Sequence, residues 1–148
     1  MSLGELYREI IMDHVRSPRG KGSIPTPDIR VGLDNPTCGD EVVVEARLDD
    51  DGRLGDVKFQ GEGCTISMAA ASMMTETVTG MTLDEALALA SAFKRMLMGE
   101  ADGADLGELE ALSGVRQFPM RVKCASLSFT ALEKGIQQAK EASPDGDQ

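Results

Sequence analysis

The pattern that most constrains the fold lies between residues 41 and 60. Residues 41–48 alternate between apolar and polar side chains, which predicts a β-strand with one buried face. The buried face consists of Val42, Val44, Ala46 and Leu48, and the exposed face of Glu41, Glu45 and Arg47. The pair Asp51-Gly52 follows, and Asp-Gly is a strong hairpin signal. Because residues 54–60 return with Val57 and Phe59 on one side, the sequence predicts an antiparallel hairpin.

The segments on either side of the hairpin carry helical patterns. Apolar residues at spacings of three and four predict four helices, over residues 3–15, 64–79, 82–99 and 125–139. The third begins with a capping box at Thr82, where Glu85 follows at the third position.

Two segments lack strong periodicity. Residues 17–36 hold four of the six prolines and predict an extended or mobile connector with a short edge strand at residues 29–33. Residues 100–117 are acidic, and a short helix over residues 105–112 with a loop over residues 113–115 is expected there. The order of elements predicts an α+β fold, in which a small antiparallel sheet of two or three strands is covered on one face by four or five helices.

Chain length and hydropathy limit the architecture. The 148 residues suffice for one hydrophobic core, so we expect a single domain over residues 1–142 and a polar tail over residues 143–148. No run of about 18 apolar residues occurs, and we therefore expect no contact with a membrane. The first residues lack the basic and apolar regions of a signal peptide, which predicts a cytoplasmic protein.

Charge and rare residues exclude several function classes. The formal net charge is −10, and the chain has four Phe, one Tyr and no Trp, so neither electrostatics nor base stacking favours nucleic-acid binding. His14 is the only histidine, and its position within a predicted amphipathic helix indicates an ordinary surface or core role rather than catalysis.

The cysteines are the candidate functional residues. Cys38, Cys64 and Cys124 lie in separate short stretches, and their odd number in a chain without a secretory segment argues against a disulfide framework. Buried inert thiols are the alternative, although Cys38 and Cys64 lie in turn-rich polar sequence where binding groups are common. In extended chain Cys38 and Asp40 point the same way, so Asp40 can complete a tetrahedral site with the three thiols.

The predicted hairpin brings two of these stretches together. Cys38 precedes its first strand and Cys64 follows its second, and in an antiparallel pair these points are adjacent. Cys64 is expected at a helix N-terminus, where the helix dipole lowers a thiol pKa. Cys124 is expected to begin the last helix in the same way. A shared metal or sulfur site then requires only that the start of the last helix packs near Cys38 and Cys64.

Three motifs carry a resemblance to a known family. Residues 35–40 (Asn-Pro-Thr-Cys-Gly-Asp), 61–67 (Gly-Glu-Gly-Cys-Thr-Ile-Ser) and 121–125 (Arg-Val-Lys-Cys-Ala) resemble the cysteine motifs of the IscU/NifU N-terminal iron–sulfur cluster assembly proteins. The SufU branch is the more similar, because Lys123 occupies the position of the histidine of IscU-type scaffolds and residues 100–117 resemble the SufU insertion.

The resemblance implies a function and a ligand set. A zinc ion is implied on Cys38, Asp40, Cys64 and Cys124, and Cys38 is implied to accept persulfide sulfur from a SufS-like cysteine desulfurase and deliver it to a cluster-assembly complex. Arg121 either supports Asp40 or the persulfide, or is a solvated surface residue. The alternatives are a scaffold that builds a [2Fe–2S] cluster on the same ligands, and an adaptor with a structural zinc.

Overall fold

The computed structural model describes residues 2–100 and 106–142. These contain four α-helices, three strands and one 3-10 helix: α1 Leu3–Arg16, β1 Ile29–Asn35, β2 Asp40–Leu48, β3 Leu54–Glu62, α2 Thr65–Val78, α3 Leu83–Leu97, the 3-10 helix Gly107–Gln117 and α4 Pro119–Ala142. None of the described helices is both long and apolar enough to cross a bilayer. The predicted polar tail lies outside the described residues.

The strands form one antiparallel sheet in the order β1-β2-β3. In the register, Val44 of β2 lies opposite Val31 of β1 and Phe59 of β3. The predicted hairpin is therefore confirmed. The edge strand is longer than predicted, because its pairing with β2 continues to Asn35, which lies opposite Asp40.

The helices cover the sheet face that Val42, Val44 and Ala46 form, and these three side chains belong to one core with residues of α2, α3 and α4. The α+β class with helices on one sheet face is thus confirmed. Helix α2 lies at the centre of this layer, where Ala69, Ala70 and other small residues permit close packing. Predicted caps also form: Thr82 caps α3 with Glu85, and Cys64 is the N-cap of α2.

The prediction that Glu45 is exposed is wrong. Its side chain is 5% exposed. The carboxylate accepts hydrogen bonds from Ile24 N at 2.9 Å and Arg30 Nε at 3.1 Å. The reason is the connector, whose Ile24 lies over the outer face of the sheet at Glu45 and is buried there. Apart from one bridge between Lys21 and Phe59, the connector before β1 is irregular, and the expected extended or mobile structure stays a prediction.

The C-terminal part also differs from the prediction. A 3-10 helix spans residues 107–117, so the predicted short helix and the loop at residues 113–115 form one element; the predicted start at residue 105 lies outside the described residues. Helix α4 begins at Pro119, whose fixed φ and missing N–H suit a first helical turn. Cys124 consequently lies in the second turn of α4, and the prediction that it begins a helix is wrong.

Candidate metal centre

The turn between β1 and β2 presents the first cysteine. Asn35 O accepts hydrogen bonds from Cys38 N at 3.2 Å and from Gly39 N at 2.9 Å, which closes a tight turn over residues 36–39. Gly39 has a φ of 73°, a left-handed conformation that glycine adopts without steric strain. The turn leaves the Cys38 side chain half-buried and brings Asp40, the first residue of β2, into the interior.

The end of β3 presents the second cysteine beside Asp40. Glu41 pairs with Glu62 across the sheet, so the chain that precedes β2 meets the chain that follows β3. Cys64 N donates a hydrogen bond of 2.9 Å to Asp40 Oδ1. As the N-cap of α2, Cys64 also accepts a hydrogen bond at Sγ from Ser67 N at 3.4 Å. A backbone amide and a side-chain carboxylate thus join the two ends of the hairpin.

Helix α4 supplies the third cysteine. Cys124 is 1% exposed. Its Sγ lies 3.7 Å from Met120 O, one turn earlier, and 3.9 Å from Asn35 Nδ2. The Sγ of Cys38 lies 4.0 Å from the same Met120 O. Asn35 and the Met120 carbonyl were not predicted as part of the site, and a backbone carbonyl has no signature in sequence.

Three of the four predicted ligands converge, and the Cys64 thiol lies outside their group. The Sγ atoms of Cys38 and Cys124 and one carboxylate oxygen of Asp40 lie within 4.8 Å of one another. Cys64 adjoins this trio through its bond to Asp40, and its thiol is close enough to raise the pKa of Cys124. The described cysteines form no disulfide, which agrees with the argument from their odd number.

The interior environment of this cluster disfavours free charge. Burial is the main reason that the pKa of the Cys124 thiol is raised well above its ordinary value, and hydrogen bonding with Asp40 and Cys38 adds to the effect. Asp40 is 0% exposed, and among the described residues its Oδ2 has no hydrogen-bond partner. A buried, unpaired carboxylate oxygen is destabilising unless a cation or a donor meets it.

These donors fit a zinc ion. Zinc binds thiolate and carboxylate ligands in a tetrahedral set. Cys38, Cys124 and Asp40, whose carboxylate has an unsatisfied oxygen, offer three such ligands, and Cys64 adjoins them through its amide. The alternative that the cysteines are inert core thiols explains neither the unsatisfied oxygen of Asp40 nor the half-exposed positions of Cys38 and Cys64. Metal binding by Cys38, Asp40, Cys64 and Cys124 stays a prediction that the geometry supports.

Arg121 and Lys123 lie on the outer side of the centre. Arg121 is exposed in the first turn of α4, and it borders a pocket of about 480 Å³ together with Ile66 and Phe118. Its side chain forms no hydrogen bond or ion pair with the described residues, so its support of Asp40 or of a persulfide stays a prediction. Lys123 is also exposed and borders a smaller pocket with Thr37.

Comparison with known proteins decides the family. The model of the NifU-like N-terminal domain matches residues 6–125. The chain belongs to this family. The match includes all three cysteine stretches and Asp40, so the NifU-like resemblance of the motifs is confirmed.

Individual members of the NifU-like family are similar over almost the whole chain. The zinc-dependent sulfurtransferase SufU of Bacillus subtilis is 49% identical over 142 residues, which cover 95% of this chain and 94% of that protein. The iron–sulfur cluster assembly scaffold protein IscU of Streptococcus pyogenes is 42% identical over 142 residues, 95% of this chain and 88% of that one.

A solved structure supports the NifU-like fold. A crystal structure from Fervidobacterium islandicum, described as a candidate iron–sulfur cluster assembly scaffold protein for the SUF system, superposes with a TM-score of 0.82. It is 34% identical and covers 91% of this chain and 99% of that chain.

Proposed function

We propose that this protein is a zinc-dependent sulfur carrier of iron–sulfur cluster assembly, which accepts persulfide sulfur from a cysteine desulfurase and delivers it to a cluster-assembly complex. The observation that carries the proposal is the placement of a half-exposed Cys38 against buried Asp40 and Cys124. The similarity to the SufU sulfurtransferase supports the same function.

Cys38, Asp40, Cys64 and Cys124 would hold the zinc. When bound, zinc keeps its cysteine ligands in the thiolate form, the form that attacks sulfur. The protein supplies the rest: the Cys64 amide orients the carboxylate of Asp40, and burial of Cys124 keeps water away from that side of the centre. A carboxylate binds zinc less strongly than a thiolate does. Asp40 is therefore the ligand that a partner side chain can displace.

Cys38 is the sulfur acceptor in this proposal. Its thiolate attacks the outer sulfur of the partner's persulfide, the S–S bond of that persulfide breaks, and the inner sulfur leaves as the partner's thiolate. Cys38 then carries the transferred sulfur, with its proton, as a persulfide, and no oxidant or reductant is consumed. Cys38 suits this role because its turn leaves it accessible, whereas Cys124 is sealed in the second turn of α4.

The surface beside the centre suits a partner protein. Phe118 and Met120 are each 60% exposed, next to the carbonyl that contacts both Cys38 and Cys124. Residues 111–132 contain no Asp or Glu, although the whole chain has a net charge of −10. Arg116, Arg121 and Lys123 lie within this stretch. Exposed apolar and basic side chains around the thiols favour a partner with an apolar, acidic rim at its donor cysteine.

The test measures desulfurase turnover. Adding the zinc-loaded protein to a cysteine desulfurase and cysteine should increase turnover, and Cys38→Ala should abolish the increase while circular dichroism stays unchanged. Thr37→Ala, in the same turn, is the matched control and should keep the stimulation. Elemental analysis of protein dialysed to remove weakly held cations should find one zinc per chain and no iron.

A scaffold for a [2Fe–2S] cluster is the second candidate, favoured by the similarity to the IscU scaffold protein. Thiolate ligands accept such a cluster as well as zinc, so donor chemistry alone does not separate the two functions. Absence of stimulation together with a stable brown cluster after iron addition would support the scaffold. Stimulation that survives Cys38→Ala would instead support an adaptor with a structural zinc.

A further inference from the structure

His14 forms a second polar cluster, away from the thiols. The residue is 1% exposed, which agrees with the expected core role, but its contacts are polar. Nδ1 lies 2.7 Å from Ser72 Oγ of α2, and Nε2 lies 2.9 Å from Glu108 Oε1 of the 3-10 helix. Glu76 Oε1 of α2 lies 3.8 Å from the same Nε2. Three potential metal ligands from three elements therefore lie within 4.8 Å of one another.

We propose that His14, Glu76 and Glu108 form a second divalent-cation site, which takes a cation of the Mn²⁺, Fe²⁺ or Zn²⁺ kind. One imidazole nitrogen with two carboxylates suits these ions, unlike the sulfur-rich first centre. With ligand bonds of about 2.0–2.2 Å, two ligands of one cation lie about 3–4 Å apart. The separations of 2.9 and 3.8 Å fall close to that range.

Ser72 prepares His14 for this role. Its Oγ accepts a hydrogen bond from Arg19 N at 2.8 Å and retains a second lone pair for Nδ1–H of His14. When Nδ1 carries the proton, the lone pair of Nε2 faces the two carboxylates. Metal-binding histidines commonly have their other ring nitrogen fixed by such a partner. Ser72, His14 and Glu108 follow the order of a Ser-His-acid catalytic triad. Ser72 is 0% exposed, however, so a substrate cannot reach its hydroxyl as a nucleophile.

The charges around His14 favour a cation. Among the described residues, the guanidinium that reaches this cluster is that of Arg19, whose Nε lies 3.7 Å from Glu76 Oε2. Arg19 binds Asp13 more closely, at 2.7 Å. Arg16 also lies near Asp13. With neutral His14, Glu76 and Glu108 carry a formal charge of −2, and Asp13 shares the Arg19 guanidinium that faces them. A divalent cation would neutralise that charge and connect the 3-10 helix to α1 and α2.

The two glutamates make the site accessible and testable. Their side chains are 49% and 53% exposed, so a cation can enter and Gln can replace either one without opening the core. His14 itself is buried, and its substitution would disturb folding. The experiment therefore uses Glu76→Gln and Glu108→Gln in the full chain with the thiol centre loaded with zinc.

Titration with Mn²⁺ tests the proposal, with the electron paramagnetic resonance signal of free Mn²⁺ as the readout. We expect one Mn²⁺ bound per chain beyond the zinc, and affinity at least about tenfold weaker in each Gln variant. A double variant, Asp50→Asn with Asp51→Asn, removes exposed carboxylates from the hairpin turn and should bind as the unmodified protein does. If the signal of free Mn²⁺ fell equally in the unmodified protein and in every variant, the proposal would be overturned.

A nuclear magnetic resonance measurement gives a second readout. His14 is the only histidine, so its ring ¹⁵N signals are identified without further assignment. Substoichiometric Mn²⁺ should broaden these signals in the unmodified protein and leave them sharp in Glu108→Gln. Ring signals that report an imidazolium shared between the two carboxylates, unaffected by Mn²⁺, would mean that a proton fills the role assigned to the cation and would overturn the proposal.

Discussion

Gly63 lies so close to Asp40 that a β-carbon at residue 63 would be 2.5 Å from Asp40 Oδ1. Carbon and oxygen atoms that are not bonded do not approach this closely, so any side chain at residue 63 would displace the carboxylate. The same Oδ1 accepts the hydrogen bond from Cys64 N at 2.9 Å. The missing side chain of Gly63 is therefore what allows Asp40 to reach the N-terminus of α2.

Replacement of Gly63 by alanine should weaken zinc binding. The new methyl group would push the Asp40 carboxylate off the Cys64 amide and away from the thiols. We expect zinc affinity to fall about tenfold or more, measured by competition with a chromogenic chelator. Gly114→Ala is the matched control, because a β-carbon there meets no atom within 4 Å, and it should leave zinc affinity unchanged. Equal affinities for the two variants would contradict this role of Gly63.

Zinc removal should destabilise the fold through Asp40. Without a cation, the buried carboxylate of Asp40 has an oxygen that no described residue satisfies. A buried unsatisfied group costs about 1–3 kcal/mol, and more when it is charged. Asp40→Asn keeps an acceptor for Cys64 N and removes the charge. The zinc-free form of Asp40→Asn should therefore melt at a higher temperature than the zinc-free unmodified protein, measured by calorimetry; a lower melting temperature would refute the explanation.

The sequence predicted the part of the site that depends on local pattern. Alternation in β2 and the Asp-Gly turn determine a hairpin, and the register then follows from the turn. Once Glu41 pairs with Glu62, Asp40 and Cys64 must be neighbours. The hairpin pattern alone therefore predicts that two of the three cysteine stretches are close together.

The parts that could not be predicted depend on contacts between distant segments. Glu45 is buried because the connector passes over it, and alternation within a strand contains no information about a second layer. The first turn of α4 was missed because Met120 within it and Phe118 just before it are exposed apolar residues, which break the helical pattern of burial. This turn nevertheless supplies the carbonyl beside Cys38 and Cys124.

Glu45 should contribute measurably to stability. Glu45→Ala would leave Ile24 N without its acceptor and Arg30 without its partner. A buried donor left unsatisfied costs about 1–3 kcal/mol of unfolding free energy. Urea denaturation should detect a loss of this size, whereas Glu41→Ala, at an exposed position of the same strand, should change stability by less than about 0.5 kcal/mol. Similar losses of unfolding free energy in both variants would contradict a stabilising contact between Glu45 and the connector.

The effect of Gly135→Ala on stability should change sign when the neighbouring residue Ile29 is also replaced. A β-carbon at residue 135 of α4 would lie 2.3 Å from Ile29 Cγ2 of β1, and Ile29 is a 2% exposed, β-branched residue that cannot move easily. Overpacking of this kind costs about 1–3 kcal/mol, whereas alanine is favoured over glycine in a helix by about 1 kcal/mol. Gly135→Ala should therefore destabilise the unmodified protein, since the steric term is the larger.

In the background of Ile29→Ala the same substitution should be neutral or stabilising. The atom at 2.3 Å is then gone, Val31 Cγ2 at 3.3 Å needs to shift by only a few tenths of an ångström, and the helix propensity remains. Ile29→Ala alone is expected to cost about 2–5 kcal/mol through the cavity that it leaves. The coupling between the two substitutions, measured by urea denaturation of the four proteins in a double-mutant cycle, isolates the contact between α4 and β1. If Gly135→Ala changed the unfolding free energy equally in both backgrounds, the close approach of α4 to β1 at Ile29 would not be what requires glycine there.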